Sequence, residues 1–423
     1  MALLIKDLRG MFDCAGFVAK QGRYPRIEDA GFLPGPIDIR VNSFDGLVVE
    51  VGACLTADND DHIVDGADLV ATPGFFDSHT HPIFAGSRAL EFFQRWNGVS
   101  YLEINRSGGG IGKTVRETAQ ASDEQLLSLL MERLREMRKC GVVVVEAKSG
   151  YGTNAQDELR LLRILAKVRS NFSQDIPKLR TTFLGLHTLP PGADEVAFVD
   201  AMIGILPEIA EGNLADYVDA FPEFGFFSLE QSVRFIREAL HYGLKPKVHA
   251  DELTDMRAAE TFCKLGALSV DHLQRLSAEA IPLLAEVETV ATLLPATSLY
   301  LGFPYANARA LIDQGICVAL ASDYNPGTAP CLGIGITQLL AASQLKMSAA
   351  EILCASTVNG ALAMGLDPVS ASIQVGTPAT SIIFWKVSEA FHDDDPECFL
   401  AEVFSSMKKP TAIDMPLMRM TLT

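Results

Sequence analysis

Short apolar runs alternate with turn residues over the first seventy positions of the chain. Residues 37–41 and 46–51 form two such runs, and Gly, Pro and Asp residues separate them. Short runs of this kind between turn signals are typical of strands, and helical periodicity is weak here. The pattern predicts that residues 1–70 are the N-terminal part of a small β domain.

From about residue 71 the pattern changes, because strand-sized apolar runs now alternate with helical patterns. Ser122 and Gln125 have the spacing of a capping box before an amphipathic segment, and Ser228 and Gln231 repeat it. Repeated βα units predict an α/β fold with a (β/α)8 TIM-like barrel over residues 71–365. The eight predicted strands are 71–79, 142–148, 179–187, 217–221, 246–250, 268–272, 289–294 and 317–323.

After residue 365 the chain returns to strand-like runs, at 381–385 and 397–403. We therefore expect residues 366–423 to form the C-terminal part of the small domain. That domain is then a β-sandwich built from both termini, beside the barrel.

Charge and composition limit the binding partners and the cellular location that we expect for this protein. The net charge is −18 and no block of Lys or Arg occurs, which argues against a nucleic-acid or membrane partner. No apolar stretch approaches the roughly 20 residues needed to cross a bilayer. The first apolar run is too short for a secretory signal, and the eight cysteines include no Cys-x-x-Cys pair. We expect a soluble cytoplasmic protein.

Polar residues that suit catalysis stand at the ends of the predicted strands. The catalytic groups of such barrels lie at the carboxyl ends of the strands, so these side chains should share one face. Five of the eight histidines in the chain are among them, which random placement would rarely produce. The strand-end residues are His79, His81, Lys148, His187, His249, His272 and Asp323.

A metal site is the first chemistry that these residues suggest. His79 and His81 are two residues apart, so on a strand their side chains point the same way. An isolated His-x-His pair is common by chance, but His249 and Asp323 complete a set of three nitrogens and one oxygen. Such a set leaves a position for water on zinc, and iron accepts the same ligands. A bound ion would generate hydroxide at neutral pH.

Two further residues are candidates for proton transfer. Glu252 follows His249 closely and could pass a proton to a leaving nitrogen or bind a ring N–H group; otherwise it is an ordinary loop acid. His272 could stabilise negative charge on the attacked oxygen or shuttle a proton; otherwise it is a core histidine.

The remaining candidates would bind an anionic substrate. Arg88 follows the His-x-His segment, and a guanidinium grips a carboxylate with two parallel hydrogen bonds. Tyr151 lies on a glycine-flanked loop and could add a hydroxyl to the same anion. The segment from Asn325 through Gly327 to Thr328 offers amide, backbone and hydroxyl donors after the last strand.

Taken together, these segments resemble the amidohydrolase superfamily and, within it, the imidazolonepropionase family of histidine degradation. The resemblance covers roughly residues 70–365. The matching segments are Phe-Asp-Ser-His79-Thr-His81, Phe84-Ala-Gly-Ser-Arg88, Ser100-Tyr, Gly108-Gly-Gly-Ile111, Glu146-Ala-Lys-Ser-Gly-Tyr-Gly152, Phe183-Leu-Gly-Leu-His187, His249-Ala-Asp-Glu252, Asp271-His272 and Ser322-Asp-Tyr-Asn-Pro-Gly-Thr328.

The resemblance implies hydrolysis of the cyclic amide of 4-imidazolone-5-propanoate to N-formimidoyl-L-glutamate by metal-bound hydroxide, the third step of histidine degradation. It also implies a cytosolic homodimer and one zinc or iron ion. No lysine that could bridge two metals follows the fourth strand, in Phe221-Pro-Glu223. The implied metal ligands are His79, His81, His249 and Asp323; the implied substrate-binding residues are Arg88, Tyr151, His187, Glu252, Asn325, Gly327 and Thr328; and the implied catalytic residues are Glu252, His272 and Asp323.

The chain departs from the family pattern at residues 296–305 and at Phe221-Pro222. Two alternatives remain. A deaminase of a heterocyclic amine, of the guanine or cytosine type, would use a similar set of residues, although Arg88 and Tyr151 favour a substrate that carries a carboxylate. The other alternative is a catalytically inactive barrel that serves as a scaffold, which has no need of Glu252 and His272.

Overall fold

The computed structural model describes residues 2–99, 103–104, 107–388 and 395–412. They contain two sheets, one of six strands and one of eight. The strands are β1 (Ala2–Phe12), β2 (Phe32–Asn42), β3 (Val48–Gly52), β4 (His62–Asp65), β5 (Leu69–Pro73), β6 (Phe75–Asp77), β7 (Val142–Lys148), β8 (Lys178–Leu186), β9 (Tyr217–Ala220), β10 (Lys245–Ala250), β11 (Ser269–His272), β12 (Val290–Leu293), β13 (Val318–Leu320) and β14 (Ile382–Lys386).

Helices follow most barrel strands, and their start signals agree with the sequence. The hydroxyl of Ser122 accepts a hydrogen bond from the backbone N–H of Gln125, and Ser228 does the same for Gln231. Within the described ranges, no helix is both long and apolar enough to span a membrane. The α-helices are Ala15–Ala19, Ala89–Trp96, Gly110–Gln120, Asp123–Lys139, Ala155–Ser170, Glu195–Gly204, Leu206–Glu211, Leu229–His241, Ala258–Lys264, Ile281–Ala285, Pro295–Leu301, Ala308–Asp313, Gly335–Ser343, Ala349–Ser356, Val358–Ala363 and Pro396–Ser405.

The eight strands β6 to β13 lie side by side in chain order, and every neighbouring pair is parallel. This confirms the predicted (β/α)8 barrel. The prediction of a single first strand over residues 71–79 was wrong. The structure has two strands here, β5 and β6, which are separated by Gly74. The first, β5, pairs with β14 in the small sheet, whereas β6 pairs with β7 in the barrel.

The barrel closes where its first and last strands meet. The backbone N–H of His81 donates to the carbonyl of Tyr324 at 2.8 Å, and the N–H of Asp323 donates to the carbonyl of His79 at 3.0 Å. Just below, the carboxylate of Asp77 accepts hydrogen bonds from the N–H and hydroxyl of Ser322, at 2.9 and 2.6 Å. The seam therefore joins the His-x-His segment to the residues after β13.

The six-stranded sheet combines both ends of the described chain, in the order β14-β5-β1-β2-β3, with β4 on β1. This confirms a small β unit built from both termini; the exact domain boundaries at residues 70 and 365 remain predictions. Its core is separate from that of the barrel. The core residues of the small unit are Leu3, Ile5, Leu8, Met11, Ile39, Val41, Val48, Leu69, Ala71, Ile373, Ala379, Ile382 and Phe384.

Residues 397–403, expected to be strand-like, lie instead within the helix Pro396–Ser405. Asp395 caps this helix by accepting a hydrogen bond from the N–H of Cys398, and Pro396 is favourable in the first turn. Phe399 and Val403 are on the buried face and pack into the barrel core rather than the small unit. The C-terminal region is therefore divided between the two units.

Candidate active site

The residues at the carboxyl ends of the barrel strands surround one cavity of about 340 Å³. Of the predicted site residues, His79 and Gly327 are not part of its lining. His79 is fully buried beside His81, and Gly327 lies against Arg88. The predicted residues that line the cavity are His81, Arg88, Tyr151, His187, His249, Glu252, His272, Asp323, Asn325 and Thr328.

Three donor atoms form a nearly equilateral triangle at the base of the cavity. The Nε2 atoms of His79 and His81 are 3.3 Å apart, and Asp323 Oδ1 lies 3.6 Å from the first and 3.4 Å from the second. Ligands at about 2.1 Å from a tetrahedral metal ion are separated by about 3.4 Å, so the triangle has the size of one face of a zinc coordination shell. This geometry fits a metal ion.

His249 lies next to this triangle, with its ring centroid 4.5 Å from that of His79. Carboxylates orient both rings: Asp271 Oδ2 is 2.6 Å from Nδ1 of His79, and Asp219 Oδ2 is 2.8 Å from Nδ1 of His249. A proton on each Nδ1 leaves the Nε2 lone pair available for a metal, as is typical of metal-binding histidines. The structure thus gathers the four predicted ligands.

His272 adds a further nitrogen donor at the same centre, because a donor atom from each of His79, His249 and His272 lies within 4.8 Å of the others. No carboxylate orients the ring of His272 in the way that Asp219 and Asp271 orient the other two. Neither ring nitrogen of His272 has a hydrogen-bond partner among the described residues. Its environment therefore differs from that of the two carboxylate-oriented histidines.

A fully buried ion network supports these histidines from below. Lys148 Nζ donates to Glu146 at 2.7 Å and to Asp219 at 2.9 Å, and it lies 4.0 Å from Asp271. Lys247 Nζ lies 3.5 Å from Glu146 and 3.9 Å from Asp271. The sequence marked Lys148 as a strand end, but it gave no role to the other four residues, which occupy strands β7, β9, β10 and β11.

The network favours the charged forms of Asp219 and Lys148 despite their burial. Burial alone would raise the pKa of Asp219, but the charges of His249 and Lys148 hold that pKa below its ordinary value. Burial opposes the charge of Lys148 as well, yet Asp219, Glu146 and Asp271 raise its pKa above its ordinary value. An ionised Asp219 is the state that accepts a hydrogen bond from His249.

Glu252 and His272 form a pair beside the ligand cluster, with Glu252 Oε2 3.5 Å from His272 Nε2. Burial, followed by the charges of Asp323 and Glu223, raises the pKa of Glu252 well above its ordinary value. Burial also lowers the pKa of His272 to about 3. Burial therefore favours the protonated form of Glu252 and keeps the imidazole of His272 uncharged at neutral pH.

The backbone at two of these positions is in the left-handed region, where residues other than glycine are uncommon. His272 has a φ of 85° and Asp323 a φ of 53°. Such conformations cost of order 1–3 kcal/mol each and persist where the surrounding structure imposes them, often at functional sites.

Two guanidinium groups reach the cavity wall. Arg88 Nε donates to Glu91 at 2.9 Å, and its buried Nη2 has no hydrogen-bond partner among the described residues. The other carboxylate oxygen of Glu91 accepts from the N–H of Gly110, at 2.9 Å. Arg95, which the sequence analysis missed, donates from Nη2 to the carbonyl of Gly327 at 2.9 Å. The sequence signal that could have identified Arg95 is its position seven residues after Arg88, within a short helical pattern.

Tyr151 and His187 stand together in the lining, with ring centroids 5.4 Å apart. His187 Nδ1 donates to the carbonyl of Gly150 at 2.9 Å, which leaves Nε2 as a hydrogen-bond acceptor. The ring of His187 stacks on that of His81, with centroids 5.1 Å apart. Burial raises the pKa of Tyr151, so its phenol stays protonated and can donate.

The turn after β13 is organised by Asn325. Its Oδ1 accepts from the N–H groups of Gly327 and Thr328, at 2.8 and 2.7 Å. Its Nδ2 donates to the carbonyl of Asp323 at 2.7 Å. The amide of Asn325 therefore fixes the turn against Asp323 and positions the Thr328 side chain at the cavity.

Apolar side chains complete the lining, among them Phe221, Phe226, Leu301 and Phe303. Leu301 and Phe303 belong to the segment 296–305 that departs from the family pattern, and Phe221 belongs to the other departure. The departures therefore lie at the cavity wall. The Ser100-Tyr motif lies outside the described residues.

The chain is similar to known proteins over most of its length. The model of the amidohydrolase family matches residues 230–417. The imidazolonepropionase of Thermoanaerobacter pseudethanolicus is 41% identical over 342 residues, which cover 80% of this chain and 82% of the relative. That of Clostridium tetani is 38% identical over 389 residues, 90% of this chain and 91% of the relative. That of Symbiobacterium thermophilum is 40% identical over 373 residues, 85% and 86% of the two chains.

Solved structures share the fold at much lower identity. An amidohydrolase from an environmental sample of the Sargasso Sea superposes with a TM-score of 0.66 at 18% identity, covering 97% of this chain and 90% of that chain. An adenosine deaminase from Xanthomonas campestris with bound zinc gives 0.65 at 16% identity, covering 95% and 88%. These similarities support the architecture alone.

Proposed function

Because this chain belongs to the imidazolonepropionase family of amidohydrolases, we propose that it hydrolyses the cyclic amide of 4-imidazolone-5-propanoate to N-formimidoyl-L-glutamate, in histidine degradation. Relatives at 38–41% identity span most of its length. The observation that carries the proposal is the joint placement of the buried His79, His81 and Asp323 cluster with the unpartnered Nη2 of Arg88 in and around one cavity.

His79, His81, His249 and Asp323 would hold a single metal ion, and nitrogen and oxygen ligands of this kind suit zinc or iron. When bound, such an ion supplies an activated water molecule by lowering the pKa of that water to about 7. No lysine that could bridge two metal ions follows β9 in the described residues. Glu223, which follows this strand, accepts hydrogen bonds from the N–H groups of Leu253 and Thr254, at 3.0 and 3.1 Å.

Arg88 and Tyr151 would anchor the propanoate group of the substrate. The unpartnered Nη2 of Arg88 and the protonated phenol of Tyr151 are both donors, as a carboxylate requires. His187 Nε2 is left to accept from a ring N–H, and the turn of Gly327 and Thr328 lies beside the guanidinium. Anchoring at one end holds the small ring with its carbonyl at the ligand cluster.

The remaining residues would move protons. The oxygen of the attacking water would bond to the ring carbonyl carbon, and Asp323, which is ionised before this step, would take the proton that the water loses. As the ring C–N bond breaks, the protonated Glu252 gives its proton to the departing nitrogen. The uncharged His272 beside Glu252 donates a hydrogen bond to the developing oxyanion.

The test is the loss of imidazolone propanoate absorbance on adding purified, metal-replete protein, with a chelator-treated sample alongside. We expect loss only in the metal-replete sample. Absence of turnover with metal bound would overturn the assignment, and ammonia release from guanine or cytosine analogues would establish the deaminase alternative. Absence of metal in protein purified without chelator would favour the inactive scaffold.

We also propose that the protein is a cytoplasmic homodimer, as the family resemblance implies. Sedimentation equilibrium at micromolar concentration should give twice the chain mass of 45.7 kDa, and a mass of one chain would contradict the dimer. Cell fractionation with an antibody to the chain tests the compartment.

A further inference from the structure

Glu158 is a buried carboxylate that the proposed mechanism does not use. It lies on the helix Ala155–Ser170 and is 2% exposed. Its oxygens accept hydrogen bonds from the backbone N–H of Gly150, at 3.0 and 3.1 Å, and from the N–H of Gly152, at 2.6 Å. The carboxylate thus holds the loop on both sides of Tyr151.

The same loop determines the state of His187, because the carbonyl of Gly150 accepts the proton on His187 Nδ1. The loop has little room to adjust. Gly150 has a φ of 104°, and a methyl group on its α-carbon would lie 2.9 Å from that same Nδ1. A shift of Gly150 would therefore change the His187 hydrogen bond and the placement of Tyr151 together.

We propose that Glu158 is a positioning residue for substrate binding: through Gly150 and Gly152 it fixes the Tyr151 hydroxyl and the His187 tautomer that receive the substrate. The proposal rests on the proposed function for the identity of that substrate. It assigns Glu158 no contact with the substrate and no role in proton transfer. Loss of the hydrogen bonds that Glu158 accepts from Gly150 and Gly152 should weaken substrate binding more than it slows the chemical step.

The small unit contains a matched control. Asp38 is a fully buried carboxylate that likewise accepts from two backbone N–H groups, those of Asp7 and Leu55, both at 2.7 Å. Asp38→Asn and Glu158→Gln each replace one accepting oxygen by an NH2 group that faces a backbone N–H. Both changes should lower stability, but Asp38 holds no residue of the cavity lining.

A second variant disturbs the same contact without altering Glu158. A methyl group on the α-carbon of Gly152 would lie 2.7 Å from Glu158 Oε1, so Gly152→Ala should push the carboxylate and the loop apart. This variant tests the proposal even where Glu158→Gln does not fold.

The experiment compares KM, kcat and melting temperature of the metal-replete wild type and the three variants, with imidazolone propanoate as substrate. We expect Glu158→Gln and Gly152→Ala to raise KM about tenfold and to change kcat by less than about threefold. Asp38→Asn should leave both constants unchanged. An unchanged KM in the folded Glu158 or Gly152 variant, or an equal rise in the Asp38 variant, would overturn the proposal.

Hydrogen–deuterium exchange separates this proposal from the proposed function. The amides of residues 149–153 should exchange faster in Glu158→Gln and Gly152→Ala than in wild type or in Asp38→Asn. If wild type does not turn over the substrate, the proposed function fails. Unchanged exchange in this loop would then still refute the positioning role of Glu158.

Discussion

A methyl group on the α-carbon of Gly327 would lie 2.1 Å from Arg88 Nη1. The backbone of Gly327 does not adopt the left-handed conformation that favours glycine, so the need for glycine here comes from the guanidinium alone. Gly327→Ala should displace Arg88 and raise KM for imidazolone propanoate at least about tenfold, with a smaller change in kcat. Steady-state kinetics measure this.

The control for this substitution is Gly204→Ala. Gly204 also lacks a left-handed φ, and nothing lies within 4 Å of the position of an added methyl group. We expect wild-type kinetics from it. A Gly327→Ala variant with wild-type KM would show that Arg88 does not set affinity from this position.

Lys148 should matter for metal affinity although it would touch no metal. It holds Asp219 and adjoins Asp271, the carboxylates that orient His249 and His79. Lys148→Met should weaken metal binding by about 10–100-fold, the usual range for partners of metal ligands. Competition with a chromogenic chelator measures this independently of activity.

Lys247→Met is the comparison for that experiment. Lys247 is equally buried and lies 3.9 Å from Asp271, but within the described residues it makes no ion pair with Asp219, and its ammonium donates to Ser269 at 2.7 Å. It should destabilise the fold with a smaller loss of metal affinity. Equal losses in the two variants would indicate that burial of a lysine, rather than support of Asp219, determines the result.

Replacing Glu252 by Gln should reduce kcat by roughly 10²–10⁴-fold, because an amide resembles the protonated carboxyl in shape but has no proton to give. The pKa of Glu252 is raised by burial, so the acid form extends to higher pH than in an exposed glutamate and is lost as pH rises through that pKa. The alkaline fall in kcat of the wild type should therefore be absent in the variant. Metal content should not change, and a near-normal kcat would refute the acid role of Glu252.

The free energy of unfolding should depend on pH in part because of Glu158. Burial raises the pKa of Glu158 from 4.5 to about 7 in the folded state. The stabilisation that the fold gains from the protonated Glu158 is therefore complete below pH 4.5 and is lost as pH rises through about 7. The folded chain binds more protons in this window, and stability falls with pH by up to about 3 kcal/mol from this group. Urea unfolding from pH 5 to 8 should show a flatter dependence for Glu158→Gln, and parallel curves would contradict this.

Much of the architecture could be predicted because each barrel strand is a short apolar run and several end in a chemically distinctive residue. His249 and His272, for example, close β10 and β11 as expected. The first strand was assigned too long, although Pro73-Gly74 is a turn signal at the point where β5 ends and β6 begins. The pairing of β5 with β14, more than 300 residues away, places the two strands in different sheets.

The buried charged residues that support the histidine cluster were harder to predict from the sequence. Asp219 and Lys247 lie within strands, where a local pattern does not show whether a charged side chain faces its partner across the barrel. Residues 397–403 were misassigned because apolar residues dominate the segment, whereas the Asp395 cap and Pro396 favour a helix. Pairings between distant segments determine the positions of Asp219 and Lys247, whereas the helix Pro396–Ser405 follows from a local signal.

The seam between β6 and β13 also has a consequence for the order of biosynthesis. Asp77 and Ser322, which it joins, are 245 residues apart in the chain. A nascent chain has His79 and His81 early, but it lacks Asp323 and the closing strand until more than 240 further residues have been made. A ribosome-bound fragment that ends before Asp323 therefore lacks one of the four proposed ligands, and we expect metal loading to follow barrel closure.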